Sequence, residues 1–570
     1  MGWFIIVENP QQQLEQDFVS KINRIFAILL LTMLLSSCVN PAFPSGIDSL
    51  GEDAQNNPAL LQAETENPEQ STVPMDLKPK LFLADEIQSP YRDELMKRLD
   101  VEIVQEQGIA DVTITPYQEK IHASQTGTIV EWLYVAAVPF QFPAETIDDW
   151  DIKRAWQGMT FKQFNFQPLL VSKATAAYFS TLWGPPSAKS VKIVLPEALL
   201  ETASGNPGSW GILPFEELSP KWRILSVGGH FPLDRDLDRE SYPLMARYFV
   251  HSRNASIDVQ SFIGTNFDPQ QMTSLLLTGT TALVRHLAFT IENEGIEYPI
   301  EEIRSVFTET DITHLSNEVP MFEACPPAVP LRVEMRFCSD PSYITLFNLL
   351  EISFVELSGN HEMDWWEDPF LETLELYKEN IIPVVGGGEN LTEALKPLEI
   401  EDHGNRFVFF SCNAVGPIEN LATKDRAGSA PCDVEQLSRD IAAYRTRGFL
   451  PVVLFQHIEV DTIYPHSLQR IEFAELADAG AVIVSGSQAH RPQTFAFSGE
   501  SLLHYGLGNT FFDQTKKPYN FGFMDRHYFY QGKYISTELL PVEITKDYQT
   551  ILMPEADRLK FLTEILGSMQ

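Results

Sequence analysis

The sequence predicts an α/β protein with two folded regions, and three observations indicate it. The chain has 570 residues, which is more than one hydrophobic core usually supports, so two domains with appendages are expected. Short apolar runs alternate with helical stretches in the first half of the chain. In the second half, several apolar runs each end in a small group of polar residues, as strands do at the edge of a sheet.

The composition of the chain says more about its possible partners than about its fold. The hydrophobic fraction of 44% and the charged fraction of 21% are those of an ordinary globular protein. The formal net charge of −37 is not ordinary. Because such a surface repels phosphate backbones, the sequence argues against nucleic acid as a partner.

The amino terminus predicts export. Lys21 and Arg24 precede an apolar run over residues 25–35, which is too short to span a bilayer but has the length of a signal-peptide core. The run ends in Leu35-Ser36-Ser37-Cys38, which resembles a bacterial lipobox. We therefore expect residues 1–37 to be a lipoprotein signal peptide and Cys38 to carry the lipid that anchors the protein to the extracytoplasmic face of a membrane. Cleavage nearby to give a plain secreted protein is the alternative.

The residues that follow predict a tether and two local disulfides. Residues 38–76 are rich in Asn, Gln, Glu, Pro and Ser, which predicts a disordered linker. Four further cysteines remain, an even number in a compartment where disulfides persist. Four cysteines allow three pairings, and the low cost of closing short loops favours Cys325 with Cys338 and Cys412 with Cys432.

Residues 77–260 are predicted to form the first α/β domain. The strand candidates are Lys80–Ala84, Val101–Ile103, Val112–Ile114, Glu131–Val138 and Val191–Leu195, and the helix candidates are Pro90–Leu99 and Leu170–Phe179. The Tyr134–Pro139 strand, Trp156-Gln157-Gly158 and the turn over 208–215 resemble the lobes of periplasmic solute-binding proteins. That resemblance implies a domain able to hold a small-molecule ligand.

The clearest sign of chemistry lies in the second region, residues 261–545. Ile352–Leu357 reads as a buried strand and runs into Ser358-Gly359-Asn360-His361-Glu362-Met363-Asp364. An Asn oxygen can ligate a cation, and a neighbouring His can ligate or donate a proton to a leaving oxygen. The alternative is a turn that caps a helix starting near Asp364.

Other apolar runs in this region end in polar groups in the same way. These groups are Asn317-Glu318, Asn360-His361 with Asp364, His457, Gly486 with His490, and Gly508-Asn509 with Asp513-Gln514. In this order and spacing the set resembles the CapA family of capsule or poly-γ-glutamate synthesis proteins, which are related to metallophosphatases. The resemblance implies a four-layer α/β/β/α sandwich with a metal-centred site at its strand ends.

The resemblance also implies a role for each residue. Glu318, Asn360, His457 and His490 would be metal ligands, and His361 with Asp364 would be the proton donor and its orienting partner. Asn509 and Asp513 would contact the metal-ligating side chains and fix their orientation. The adjacent Gln456 could take the place of His457, Glu318 could be a solvated turn residue, and Asp513 could cap a turn.

Two departures from the family pattern reduce the number of metal ligands that we expect in this chain. The family places a Gly-Asp after its first strand, where this chain has Gly279-Thr280, and a neutral hydroxyl coordinates weakly. The family's Gly-His-His-Pro-His motif reads Gly486-Ser487-Gln488-Ala489-His490, which leaves one imidazole. The chain therefore offers about four ligands where a two-metal phosphatase needs roughly six to eight.

Two classes of function stay open. The first is a membrane-anchored CapA-like lipoprotein of capsule or poly-γ-glutamate synthesis or processing, with Mn, Fe or Zn serving a metal-dependent hydrolase. The second is a non-catalytic extracytoplasmic protein that binds a cell-surface polymer or a small solute. Residues 546–570 are predicted to add a carboxyl-terminal helical segment.

Overall fold

The structure is a computed structural model that describes residues 78–87, 89–331 and 334–569. The predicted signal peptide, the lipidation at Cys38 and the linker lie outside the described residues. The described residues form one compact unit. Among the described residues, none of the helices combines the length and the apolar character needed to cross a membrane.

The first region is built around a mixed sheet. Long strand Thr128–Pro139 lies at its centre and pairs antiparallel with Met245–Ser252, Trp210–Pro214 and Trp222–Ile224. The other strands of this sheet are Lys80–Leu83, Glu102–Ile103, Val112–Pro116, Leu169–Val171 and Val191–Ile193. Its α-helices are Ser89–Arg98, Glu119–His122, Asp149–Trp156, Lys173–Trp183 and Leu199–Ser204.

The predicted helix Leu170–Phe179 was wrong at its start. Leu169–Val171 is a buried strand, and the helix begins at Lys173 after Ser172, whose hydroxyl accepts a hydrogen bond from the Thr175 amide. The apolar run therefore belongs to a strand, and the serine that follows it is the helix cap.

The second region contains two large sheets. In the first, parallel strands stand beside a long antiparallel hairpin, Phe521–Tyr530 with Lys533–Ile544. Its other strands are Met272–Thr278, Thr280–Thr281, Ile312–Asn317, Phe354–Glu356, Val384–Val385, Asn509–Phe511 and Thr550–Leu552. The second sheet contains Leu398–Asp402, Asn405–Asn413, Leu450–Gln456, Ile483–Ser487, Phe495–Ser498 and Ser501–His504.

Apolar side chains pack between these two sheets and on their outer faces. One core cluster holds Phe354 of the first sheet with Phe409 of the second, whose ring centroids lie 4.4 Å apart. A second cluster packs the first sheet against helices, and a third does the same for the second sheet. These helices are Arg285–Glu294, Arg304–Thr308, Ile344–Leu349, Glu367–Glu379, Leu391–Ala394, Val434–Thr446 and Ser467–Asp478. The last helix, Glu555–Leu566, packs Leu562, Ile565 and Leu566 into the cluster that contains Phe354 and Phe409. The predicted mixed α/β class is confirmed.

Both predicted disulfides are present. Cys325 bonds to Cys338 across 13 positions, and Cys412 bonds to Cys432 across 20 positions. Each disulfide closes a loop, and a residue of each loop hydrogen-bonds to a residue that follows the Phe354–Glu356 strand. The Phe337 amide donates to Asp364 Oδ2 at 2.7 Å, and the Asn420 amide group donates to the Asn360 carbonyl oxygen.

The first region packs directly on the second. Ser536 Oγ of the long hairpin donates to the Trp222 carbonyl oxygen at 3.0 Å, and Arg558 forms an ion pair with Glu145 at 2.8 Å. Phe140 packs edge to face against Phe495, with centroids 5.3 Å apart. Contacts of this kind join the two regions within one compact unit.

Candidate functional site

Parallel pairing brings several polar groups to one edge of the sheets. Ser316 pairs with Glu356 and with Thr280, so the residues that follow these strands meet at their carboxyl ends. Gly359 allows a close approach, because a Cβ atom there would lie 2.6 Å from the Glu318 Cα. The turn after Phe354–Glu356 can therefore lie directly against Glu318.

Glu318 is a buried carboxyl group with one unused oxygen. It is 2% exposed, and its Oε2 has no hydrogen-bond partner among the described residues. Burial raises the pKa of the Glu318 carboxyl, and the charges of His490 and His361 partly offset that rise. The Glu318 carboxyl group therefore interacts electrostatically with both histidines.

His361 and Asp364 form a hydrogen-bonded pair. His361 Nδ1 lies 2.9 Å from Asp364 Oδ2, and the His361 ring packs on Phe337 with centroids 4.8 Å apart. Burial lowers the pKa of His361, but the bond to Asp364 and the charge of Glu318 outweigh it, so the net pKa is raised. This pair can hold a proton on the imidazole and present it to a bound group.

Side-chain amides form the next part of the site. Gln456 Nε2 donates to Asn360 Oδ1 at 3.3 Å and also to Gln488 Oε1. Ser487 Oγ donates to Gln456 Oε1 at 3.1 Å. The Asn360 oxygen predicted as a metal ligand therefore already accepts a hydrogen bond from an amide.

His490, predicted as a metal ligand, is held by an asparagine and a phenylalanine. Its Nδ1 lies 2.8 Å from Asn509 Oδ1, and its ring packs on Phe512. Asn509 in turn donates to Gln514 Oε1 at 3.1 Å and to the Tyr519 carbonyl oxygen at 2.8 Å. The amide of Asn509 therefore fixes the orientation of the His490 ring. We call Glu318, Asn360, His361, Asp364, Gln456, Gln488, His490 and Asn509 the strand-end cluster.

A buried carboxylate lies next to the strand-end cluster, within the strand that leads to Asn360 and His361. Glu356 Oε1 accepts hydrogen bonds from Ser411 at 3.2 Å, from Ser487 at 3.0 Å and from Ser358. Burial raises the pKa of Glu356, but His314 and the serine hydroxyls outweigh it, so the net pKa is lowered. Glu356 is therefore a structural anion that ties both sheets together.

Glu362 has a different environment. It is fully buried, and neither carboxyl oxygen has a hydrogen-bond partner among the described residues. Burial, with the charges of Glu318 and Glu356, raises the pKa of Glu362 well above its ordinary value. Ionisation of this side chain is therefore less favourable than that of an exposed glutamate.

His457, predicted as a metal ligand, is directed away from the strand-end cluster. His457 Nε2 lies 2.8 Å from Glu472 Oε2 on helix Ser467–Asp478, and His457 Nδ1 accepts from the Ile458 amide at 2.8 Å. Side chains alternate along a strand, so His457 shares the helix-facing side with Phe455 while Gln456 points to the cluster. Gln456 occupies the place expected for the histidine.

Asp513 also differs from its predicted role. Its Oδ1 forms an ion pair with Arg285 Nη2 at 2.5 Å, and the Arg285 guanidinium stacks on Phe337 at 4.8 Å. Asn509, and not Asp513, contacts the His490 ring. Sequence reasoning missed Gln488, Glu356 and Glu362 as parts of this site, although Glu362 lies inside the polar run after the strand.

The donor set does not fit a two-metal centre. The carboxyl groups of the strand-end cluster are Glu318, whose pKa burial raises, and Asp364, which is hydrogen-bonded to His361. Among the described residues, the groups of three or more Asp, Glu, His or Cys with mutually close ligand atoms comprise Asp311, Asp402 and His403 alone, away from the strand-end cluster. Thr280, at the place of the family's aspartate, is buried and its hydroxyl carries no charge.

Comparison with known proteins identifies the second region. The family model for the bacterial capsule synthesis protein PGA_cap matches residues 274–514. The capsule biosynthesis protein CapA of Bacillus anthracis is 21% identical over 246 residues, which is 42% of this chain and 60% of that protein. The PGA biosynthesis protein CapA of Bacillus subtilis (strain 168) is 20% identical over 243 residues, with 42% and 63% covered. The match thus spans about three-fifths of each relative's length.

Solved structures give only distant likenesses. The ABC-type phosphate transport receptor from Vibrio cholerae covers 32% of this chain and 90% of its own, at 12% identity and a TM-score of 0.27. The NAD nucleotidase NadN of Haemophilus influenzae covers 52% of this chain and 57% of its own, at 12% identity and a TM-score of 0.31. Scores this low carry no argument about function.

The disulfides, together with relatives named for capsule synthesis, indicate an extracytoplasmic protein. The residues that carry the resemblance, from Asn317-Glu318 to Gly508-Asn509, fall within the matched range. Residues 274–514 are therefore similar to the CapA family, as the sequence predicts.

Proposed function

We propose that this protein serves the synthesis, retention or release of a cell-surface polymer, and that its strand-end cluster binds a segment or an end of that polymer. One observation carries the proposal: the strand ends of the CapA-like region hold a cluster of polar side chains, but Thr280, Ser487 and Gln488 stand where the family pattern has an aspartate and two histidines. Support for the polymer comes from the relatives, which are named for capsule and PGA biosynthesis.

The side chains of the strand-end cluster favour recognition by hydrogen bonds. Asn360, Gln456 and Gln488 supply amide donors and acceptors, and His361 supplies a proton-bearing imidazole held by Asp364. Such groups suit the hydroxyl, amide or carboxyl groups of a polymer chain. Because the chain carries a formal charge of −37, a polyanionic polymer would bind more tightly as salt screens the repulsion.

Under this proposal the protein is held at the outer face of a membrane. A lipid on Cys38 would anchor it there, and the linker over residues 38–76 would hold the folded part away from the surface. The two sheets of the CapA-like region, with apolar cores between them and helices on their outer faces, would form the four-layer α/β/β/α sandwich.

A metal-dependent hydrolase with a reduced site is the second candidate. It is favoured by the unpartnered Oε2 of Glu318, which lies near two imidazoles and could hold one divalent cation such as Mn, Fe or Zn. In that case His361 would be the group that protonates a leaving oxygen of a phosphoester or an amide-linked polymer.

Binding to capsule or poly-γ-glutamate material, compared between the wild type and Gln456→Ala, tests the first candidate. We expect Gln456→Ala to weaken binding at least tenfold, because the amide links Asn360 to Gln488. His457→Gln is the matched control, since His457 faces helix Ser467–Asp478. Unchanged binding in Gln456→Ala, with the variant folded, would contradict the proposal.

A further inference from the structure

A second cavity lies on the first region, far in sequence from the strand-end cluster. Its volume is about 860 Å³, which lies within the usual range for small-molecule sites. The cavity lies over the pairing of Thr128–Pro139 with Met245–Ser252, and residues 263–269 form one wall. Its charged and aromatic lining includes Glu131, Arg239, Glu240, Arg247, Phe267 and Asp268.

Arg247 is a structural part of this cavity. Arg247 pairs in register with Glu131, and its Nε donates to Glu131 Oε1 at 3.2 Å. Its Nη2 donates to the carbonyl oxygens of Arg239 and Glu240, at 2.6 Å and 3.2 Å. Arg247 therefore holds the backbone that carries Arg239 in place.

The Arg239 guanidinium has an aromatic and an ionic neighbour. It lies over the Phe267 ring at 5.6 Å and forms an ion pair with Glu131 at 4.0 Å, a distance too long for a hydrogen bond. Among the described residues no side chain or carbonyl accepts a hydrogen bond from this guanidinium. Stacking on an aromatic face leaves the planar edge of N–H donors free, and that edge matches a carboxylate.

Negative groups stand around the same cavity. Glu119 and Glu240 line it and are exposed. Asp268 lines it as well, and the hydrogen bonds from Gln270 and Gln271 lower the pKa of its carboxyl. These groups would attract an ammonium while the Arg239 edge takes a carboxylate.

We propose that this cavity binds a zwitterionic ligand, with its carboxylate on Arg239 and its ammonium toward Glu119 and Glu240. A short peptide with free termini has this pattern of charge and a size that suits the cavity. This site is separate from the strand-end cluster, so its test does not depend on the function proposed there.

Calorimetric titration of the full chain with three probes tests the inference. L-alanyl-L-alanine carries both charges, N-acetyl-L-alanyl-L-alanine lacks the ammonium, and L-alanyl-L-alaninamide lacks the carboxylate. We expect the free dipeptide to bind at least tenfold more tightly than either capped probe. Equal binding of all three, or no binding of the dipeptide at millimolar concentration, would overturn the inference.

Substitutions assign the carboxylate to one residue. Arg239→Gln should reduce dipeptide binding to the level of the amide probe, and Arg239→Lys should give an intermediate loss because it keeps the charge without the planar edge. Arg439→Gln, on the exposed face of helix Val434–Thr446, is the matched control and should leave binding unchanged. Full dipeptide affinity in Arg239→Gln would refute the assignment.

Discussion

The packing of the two large sheets predicts a coupling between Phe354 and Phe409. Both rings are fully buried, one from each sheet, and their centroids lie 4.4 Å apart. Replacing either by Ala should lower the free energy of unfolding by about 3–5 kcal/mol, the usual cost of losing a buried phenylalanine and leaving a cavity. Because the two rings contact each other, the loss in free energy of unfolding in the double variant should be about 1–2 kcal/mol smaller than the sum of the two single losses.

Equilibrium unfolding in urea, followed by tryptophan fluorescence, measures the four members of this cycle. Phe166→Ala is the matched control, since Phe166 is 63% exposed, and we expect a change within about 0.5 kcal/mol. If the losses of the two single variants add up to the loss of the double variant within about 0.3 kcal/mol, the two rings are not in contact. The packing of the two sheets against each other at this point would then be refuted.

Three further predictions concern single features. Replacing Cys412 and Cys432 together by Ser should cost about 3 kcal/mol in the free energy of unfolding, because the bond closes a 20-residue span; an unchanged urea midpoint would contradict this. Asp364→Asn should lower the pKa of His361, since Asp364 helps to raise it; the imidazole signals in an NMR titration would show it. The stability that this raised pKa gives is present below about pH 6.5 and is lost as pH rises through the folded-state pKa. Glu362→Gln should raise the urea midpoint near pH 8 and give no gain near pH 4, because the raised pKa of Glu362 costs stability as pH rises above the unfolded value.

The sequence predicted the chemistry of the cysteines and much of the strand-end cluster. Short loop lengths favoured the two disulfides that the structure contains. The polar run after the Phe354–Glu356 strand placed Asn360, His361 and Asp364 together, because a strand end fixes where the next residues lie.

The differences between expectation and structure have local physical causes. His457 was expected at the site, but strand alternation turns it toward a helix and brings in its neighbour Gln456. Leu169–Val171 was taken as the start of a helix because three apolar residues fit either structure. The cluster's amide contacts depend on packing between two sheets, and no local pattern in the sequence encodes them.

The metal content of the purified chain tests the central claim most directly. After growth with Mn, Fe and Zn and dialysis against buffer, elemental mass spectrometry should find less than one equivalent of these metals per chain, since Thr280, Ser487 and Gln488 stand where the family pattern has an aspartate and two histidines. Two equivalents per chain, lost on Glu318→Gln but kept on His457→Gln, would contradict the account and restore a two-metal hydrolase.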